Sequence, residues 1–221
     1  MAGTKIKIPF SSGIPLSTTT PGEILMLNES GSLVPFYIAK HDYESGLNGA
    51  GRTLLVRKDC YDKGIFGSST NAYADSYLNS WLCNTYLKML NTDIQAAIST
   101  TKFYYTPGNG NIHVTTLQRA VFQLSVTELG KTANYANTEG TALPIANTLQ
   151  IAYGDGIKRS QWTRTPFTNN IFNAFFVNDR GSADHIRCNN AYWRRPAFTL
   201  PGTLGVEQNA DGTYSIAENT K

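Results

Sequence analysis

The sequence is short of several things. Cysteine occurs three times, at Cys60, Cys83 and Cys188, far apart and without a CxxC pair or a Cys/His cluster. That pattern argues against a disulfide framework and against a structural zinc site, and it reads as buried free thiols. No run approaches the ~20 apolar residues that a membrane span requires. The opening MAGTKIKIPF lacks the apolar stretch of a secretory signal. The expectation is a soluble protein made in a cytosol, with no signal peptide and no membrane insertion. Charge is scarce too: charged residues make up 16% and the formal net charge is +3. Such a balance gives no field that would imply a nucleic-acid partner.

Catalytic signatures are equally thin. His41, His113 and His185 form no HExxH or HxH arrangement, and no GxSxG nucleophile turn is present. "GNGNIH" at 108–113 resembles a dinucleotide loop but lacks the third glycine, and the following Val114–Thr116 prefer strand. A turn is the better reading. No catalytic residue, metal site or cofactor is expected, and the chain is not expected to be an enzyme. Arg52, Arg57, Lys58 and Lys63 read as a solvated face.

What is present is enough for a sizeable core. The chain has 221 residues, 41% of them apolar, which suits one domain with insertions. Nineteen glycines and nine prolines promise many turns. Alternation at Ile6, Ile8 and Phe10 reads as a strand, and Ser/Thr/Pro/Gly-rich 11–22 as a linker. Residues 1–22 are therefore expected to form an assembly or attachment arm, and 23–221 the domain. "EILMLNESGSLVPFYIAK" predicts two strands around a turn at Asn28–Ser32, and "GRTLLVRKDCY" a third strand. Ser76–Ile98 carries the one clear helical period, capped by Asp75 or Ser76 and interrupted at Asn91. Gly130 fits a helical-turn terminus, and Asp211-Gly212 a hairpin. Short antiparallel strands around one main helix, with long irregular loops, predict an α+β fold.

One island stands out. Between Asn169 and Pro196 the chain places six asparagines, five aromatics and four arginines. Aromatic rings give large contact area at little entropy cost, Asn, Ser and Asp give adaptable hydrogen bonds, and Arg adds charge and stacking. The same mixture makes antibody paratopes and interface hot spots. It predicts a recognition surface. Arginines among aromatics would also suit single-stranded nucleic acid, but Asp179 and Asp184 dilute the charge.

Around the island, "QWTRTPF…NAFFVNDRG…RRPAFTLP" resembles the C-terminal signature of a phage and bacterial family with a C-type-lectin fold. The matching positions are Trp162, Arg164, Thr165, Pro166, Ala174, Val177, Gly181, Arg195, Pro196, Ala197, Phe198 and Leu200. "LLVRK" at 54–58, "YADSYL" at 73–78 and "MLNTDIQAAI" at 89–98 extend the likeness over about 22–205. Trp193-Arg194 departs from the expected Gly-Val, which puts the turn before Arg195 in question. The family resembles the variable proteins of diversity-generating retroelements, in which adenine-directed mutagenesis diversifies a C-terminal cassette, here about 162–200.

The resemblance implies a C-type lectin-like fold, a virion location at a phage tail tip, and binding of a host cell-surface ligand, protein or glycan. It implies other tail proteins as partners and allows a homo-oligomer. A structural tail or decoration protein of fixed sequence is the alternative. The residues expected to face solvent on one contiguous surface are Asn169, Asn170, Asn173, Phe175, Asn178, Arg180, Ser182, Asp184, His185, Arg187, Asn189, Asn190 and Tyr192. A diversified site must rest on a scaffold that does not vary, because most core changes cost ~0.5–3 kcal/mol. Trp162 and Phe198 are expected to pack beneath it, and Arg164 and Arg195 to hold its loop backbones.

Overall fold

Long-range strand pairing organises this chain. The computed structural model describes residues 13–217. In chain order the strands are β1 (Ile14–Pro15), β2 (Ile24–Glu29), β3 (Ser32–Lys40), β4 (Arg52–Arg57), β5 (Lys63–Ile65), β6 (Thr101–Tyr105), β7 (Thr115–Arg119) and β8 (Val121–Phe122). Then follow β9 (Ala152–Gly154), β10 (Ile157–Arg159), β11 (Gln161–Pro166), β12 (Asn173–Val177), β13 (Ala183–Arg187) and β14 (Ala191–Trp193). β15 (Ala197–Pro201), β16 (Gly205–Gln208) and β17 (Tyr214–Ile216) complete the set. A large sheet runs β1-β16-β17-β2-β3-β4-β15-β8, and a smaller one runs β13-β12-β11-β14-β5. Two hairpins, β6–β7 and β9–β10, stand apart from both.

The expected turn between β2 and β3 is a two-residue one, with Ser30 at φ 52° and Gly31 at φ 85°. Positive φ at both central positions matches the right-handed twist of the strands it joins. In the longer β16–β17 connection, residues 209–213, Gly212 supplies the one positive φ, 83°. The Ser76 side chain accepts from the Asn79 amide and caps the helix Tyr77–Asn84.

The α+β, C-type lectin-like expectation does not hold. Strand accounts for 38% of the described residues and helix for 16%, and among them only one helix reaches seven residues, so the structure is mostly β. The apolar period over 76–98 is real but does not make one long helix. Thr85 leaves the regular path, Tyr86–Met89 continues as a 3-10 turn, Leu90 is extended, and Asn91 caps the separate helix Thr92–Ala97. An Asn cap that satisfies the Asp93 amide costs less than carrying the first helix through an extended residue.

The arm expectation also changes. Residues 1–12 lie outside the described residues. Ile14 pairs with Val206 and Pro15 with Gly205, Leu16 is fully buried in the main core, and Thr19 is buried. Residues 14–19 are therefore part of the domain. The Ser/Thr/Pro composition that reads as a linker here makes a tight docked segment, its hydroxyls returning to its own carbonyls: Thr18 to Pro15 at 2.7 Å and Thr19 to Leu16 at 2.7 Å.

One hydrophobic cluster joins both sheets. It contains Leu25, Phe36 and Leu55 of the large sheet, Trp162 and Phe176 of the small one, and Leu78 and Leu82 of the helix. A second, small cluster of Val126, Phe167 and Phe175 covers the other face of the small sheet. No helix among the described residues is long and apolar enough to cross a membrane.

Candidate binding surface

β13 is the free edge of the five-stranded sheet, and the island identified in the sequence is wrapped around it. Its register with β12 pairs Asn173 with Arg187, Phe175 with His185 and Val177 with Ala183 on one face, and Ala174 with Ile186 and Phe176 with Asp184 on the other. The candidate residues are thus split by the strand alternation. Because β13 has no outer neighbour, both of its faces reach solvent, and the candidates form a ridge rather than a flat face.

Asn169, Asn170, Arg180, Ser182, Asp184, His185, Arg187, Asn189 and Asn190 are exposed, whereas Asn173, Asn178 and Tyr192 are half-buried. Phe175 is not a surface residue. It is 1% exposed and packs edge-on against Phe167 at 5.7 Å. The expectation failed there because β12 is covered on both faces, so "AFFV" is apolar throughout and shows no alternation. Tyr192 stacks on Phe176 at 4.4 Å and meets Trp162 at 5.2 Å, so much of it belongs to the support. Two exposed apolar residues on the ridge were not singled out from the sequence: Ile171, and Phe172 at 50% exposure.

Several asparagines have local work. Asn178 Oδ1 accepts from the amides of Arg180 and Ser182, and Asn170 Oδ1 from that of Phe172. Asn190 donates to the Arg187 carbonyl at 3.1 Å. These are the turn-making bonds typical of Asn. Asp184 Oδ1 accepts from the His185 amide at 2.7 Å. That bond occupies an amide of the edge strand, and with the charged neighbours it blunts the edge against pairing with another strand. Among the described residues, the side chains of Asn169, Arg180, Arg187 and Asn189 make no hydrogen bond or ion pair.

The support beneath is buried. Trp162 lies fully inside, on the central strand β11, between Phe66 at 5.6 Å and Tyr192, and its indole N–H donates to the Gly64 carbonyl at 2.8 Å. Phe198 is fully buried against Phe36 at 5.4 Å. Arg195 donates to the carbonyls of Arg57, Lys58 and Leu149, and so ties three segments together. Burial lowers its pKa. Arg164 pairs with the equally buried Glu128 at 2.6 Å and donates to the carbonyls of Tyr104 and Gln123. Burial disfavours its charge, yet Glu128, Tyr43 and Glu139 together hold its pKa above the usual value. At the departure from the family pattern, Arg194 makes a bidentate pair with Asp62 and lies 3.6 Å over the Trp81 ring. Gly64 makes room for it: a Cβ there would stand 2.8 Å from the guanidinium carbon.

The most informative residue missed in the sequence is Asn71. It is buried, and its amide nitrogen lies within bonding distance of the carbonyls of Phe167, Asn170 and Asn173, at 3.1, 3.1 and 2.8 Å. Its Oδ1 accepts from the Asn109 amide at 2.8 Å, and its backbone N–H donates to the Ile171 carbonyl. One side chain thus holds the 167–173 loop that carries the start of the ridge. A lone Asn in "SSTNAY" gives no sequence signal for this. Asn71→Leu is expected to cost ~1–3 kcal/mol, because it leaves several buried polar groups unsatisfied. It is also expected to raise hydrogen exchange in 167–173 well above that in β15. Equal exchange in both segments would contradict the clamp.

No group of three His, Cys, Asp or Glu among the described residues could hold a metal ion. The thiols are free, and burial pushes Cys60 up to about 11 and Cys188 up to about 12, so neither forms much thiolate at neutral pH.

Residues 50–202 match the family described as Domain of unknown function (DUF6273). The chain belongs to this family. No curated protein and no solved structure matches it. The DUF6273 segment begins just before β4 and ends just after β15, which pair along their length. Its ends touch: the Gly202 amide donates to the Gly51 carbonyl at 2.7 Å. It contains the whole five-stranded sheet and the ridge. β1, β2, β3, β16 and β17 lie outside it and extend the large sheet from β4. A unit whose ends meet on paired strands can be embedded in a longer chain without distorting its core.

Proposed function

We propose that the protein is a recognition module that displays a diversifiable set of side chains on the β13 ridge. In this reading it binds a host cell-surface ligand at the tip of a phage tail, beside other tail proteins, as the variable proteins of diversity-generating retroelements do. The observation that carries the reading is the separation of roles. Asn169, Arg180, Arg187 and Asn189 are exposed and their side chains bond to nothing among the described residues, while Trp162 and Asn71, which contact the ridge from below, are buried, and Arg164 and Arg195 are buried and bond to segments outside it. Side chains with no internal partner can change without cost to the fold. A second reading, a structural tail protein of fixed sequence, draws on the asparagines that serve their own turns.

The test is a ridge variant, Asn169→Ala with Arg187→Ala and Asn189→Ala. Each change is expected to alter stability by no more than ~0.5 kcal/mol. Binding to host cells is expected to fall by ~2 kcal/mol or more, since Arg at an interface centre carries such losses. Unchanged cell binding by a normally folded variant would favour the structural reading.

A further inference from the structure

A shallow depression of about 250 Å³ opens beside the far end of the ridge, where the β9–β10 hairpin meets β5 and β14. Lys63, Lys158 and Arg159 line it, with Tyr192 and Trp193 as its aromatic wall. Ser160 adds a hydroxyl, and Asp179 is the single carboxylate in the lining. We propose that this depression binds the acidic group of a glycan, a carboxylate or a sulfate, as a constant anchor beside the variable ridge. The proposal rests on the recognition reading for its biological role but not for its chemistry.

Three features point to an anion. First, three cations face one carboxylate. Neither Lys63 nor Lys158 has an ion-pair partner among the described residues, and the Arg159–Asp155 pair is long, 3.9 Å, and on the Asp155 side solvent-exposed. Second, two of the cations are held in place. Arg159 lies 4.9 Å and Lys63 5.8 Å from the Trp193 ring centroid, and Arg159 Nε donates to the Gly154 carbonyl at 3.0 Å. Cations fixed over a ring lose less freedom on meeting an anion than cations on free side chains. Third, Trp193 is fixed in turn. It packs against the Gly154 backbone so closely that a Cβ there would stand 2.6 Å from the ring.

The chemistry favours a sugar acid over nucleic acid. The net charge of +3 gives no extended field for a polyphosphate. Asp179 can accept from a sugar hydroxyl, and Ser160 can donate to or accept from one. The depression is also small beside ordinary ligand pockets of roughly 300–1,000 Å³, which suits one charged ring rather than a buried oligomer. Lys63, Lys158, Arg159 and Ser160 all precede position 162, where the diversified segment expected from the sequence begins. Under the recognition reading these four stay fixed while the ridge varies, whereas Asp179, Tyr192 and Trp193 of the same lining fall inside the diversified segment.

The experiment titrates the full chain with oligogalacturonate, with a sulfated heparin-derived oligosaccharide and with neutral malto-oligosaccharide. Binding is expected for at least one acidic probe and not for the neutral one, and the pair shows whether carboxylate or sulfate is preferred. Lys63→Ala with Lys158→Ala is expected to weaken the acidic probe by about tenfold or more with a nearly unchanged melting temperature, since both lysines are exposed and neither forms an ion pair among the described residues. Raising the salt is expected to weaken binding to the wild type and much less to the variant. Failure of both acidic probes to bind, equal binding of the neutral probe, or unchanged affinity in the double variant overturns the proposal. The ridge variant separates the two ideas, because its substitutions lie at the opposite end of β13. Retained probe binding with lost cell binding supports both. Retained probe binding with unchanged cell binding overturns the recognition reading and leaves the anion site standing. Loss of the acidic probe in the ridge variant overturns the assignment of the anchor to the depression.

Discussion

Glu128→Ala is expected to destabilise the protein by ~3–5 kcal/mol, the loss seen when one partner of a buried ion pair is removed. Both Glu128 and Arg164 are fully buried, and among the described residues Glu128 is the one carboxylate within ion-pair distance of Arg164. The substitution also strips acceptors from the Tyr43 hydroxyl and from the Ser125 amide, both of which point at Glu128. Arg164 Nη2 makes no hydrogen bond among the described residues. Glu139 does not substitute, because its oxygens accept from the Thr106 amide at 2.6 Å and the Thr165 hydroxyl at 2.7 Å. Burial raises the Glu139 pKa, so a second full negative charge in this place is disfavoured. The double variant Glu128→Leu with Arg164→Met removes the stranded charge and is expected to recover part of the loss. Urea unfolding of the two single variants and the double gives the coupling directly. A loss under ~1 kcal/mol in Glu128→Ala would mean that Arg164 is far better solvated than its surroundings indicate.

Trp162→Ala is expected to cost a further large amount, ~3–5 kcal/mol, as a large-to-small change in the core. The indole fills the space between Phe66, Phe176 and Tyr192, and its N–H satisfies the Gly64 carbonyl. Its loss should loosen β14 and β5 together, since Tyr192 lies on one and Gly64 on the other. Phe175→Ala separates two accounts of the island. As a buried member of the small cluster, Phe175 should cost several kcal/mol when truncated, by the same cavity argument. As a ligand contact it would cost almost nothing. Thermal melts of both variants decide between them, and a near-wild-type melt for Phe175→Ala would return it to the surface.

The sequence was most legible where structure is local. The β2–β3 hairpin announces itself through alternating residues and a Ser-Gly turn. The Ser76 cap, the interruption at Asn91 and the Asp211-Gly212 hairpin follow from single residues and their backbone preferences. The buried Trp162, Arg164, Arg195 and Phe198 were placed by family likeness and by the need for a scaffold. What stayed hidden depends on distant partners. β13, "ADHIR", is polar because it is an edge, and nothing in it favours strand until β12 is beside it. The sheet order β3-β4-β15-β8 joins residues far apart in the chain. The α+β expectation failed because an apolar period marks which residues face the core, not whether the backbone between them stays helical. Phe175 was misplaced because a loop from 126 to 136 covers the outer face of β12, and Asn71 was missed because its partners are carbonyls, which carry no sequence identity.

The central claim is that the β13 ridge varies while its support does not. Sequencing this gene in many isolates that carry it, with the adjoining DNA, tests the claim most directly. The account predicts replacements concentrated at the codons for Asn169, Arg180, Arg187 and Asn189, at positions where the near-repeat carries adenine, with an apolar residue retained at position 175. It predicts Trp162, Arg164, Arg195 and Phe198 unchanged, and a near-repeat of the codons for 160–200 beside a reverse transcriptase gene. Replacements spread evenly over the chain, or a ridge as invariant as Trp162, would contradict it.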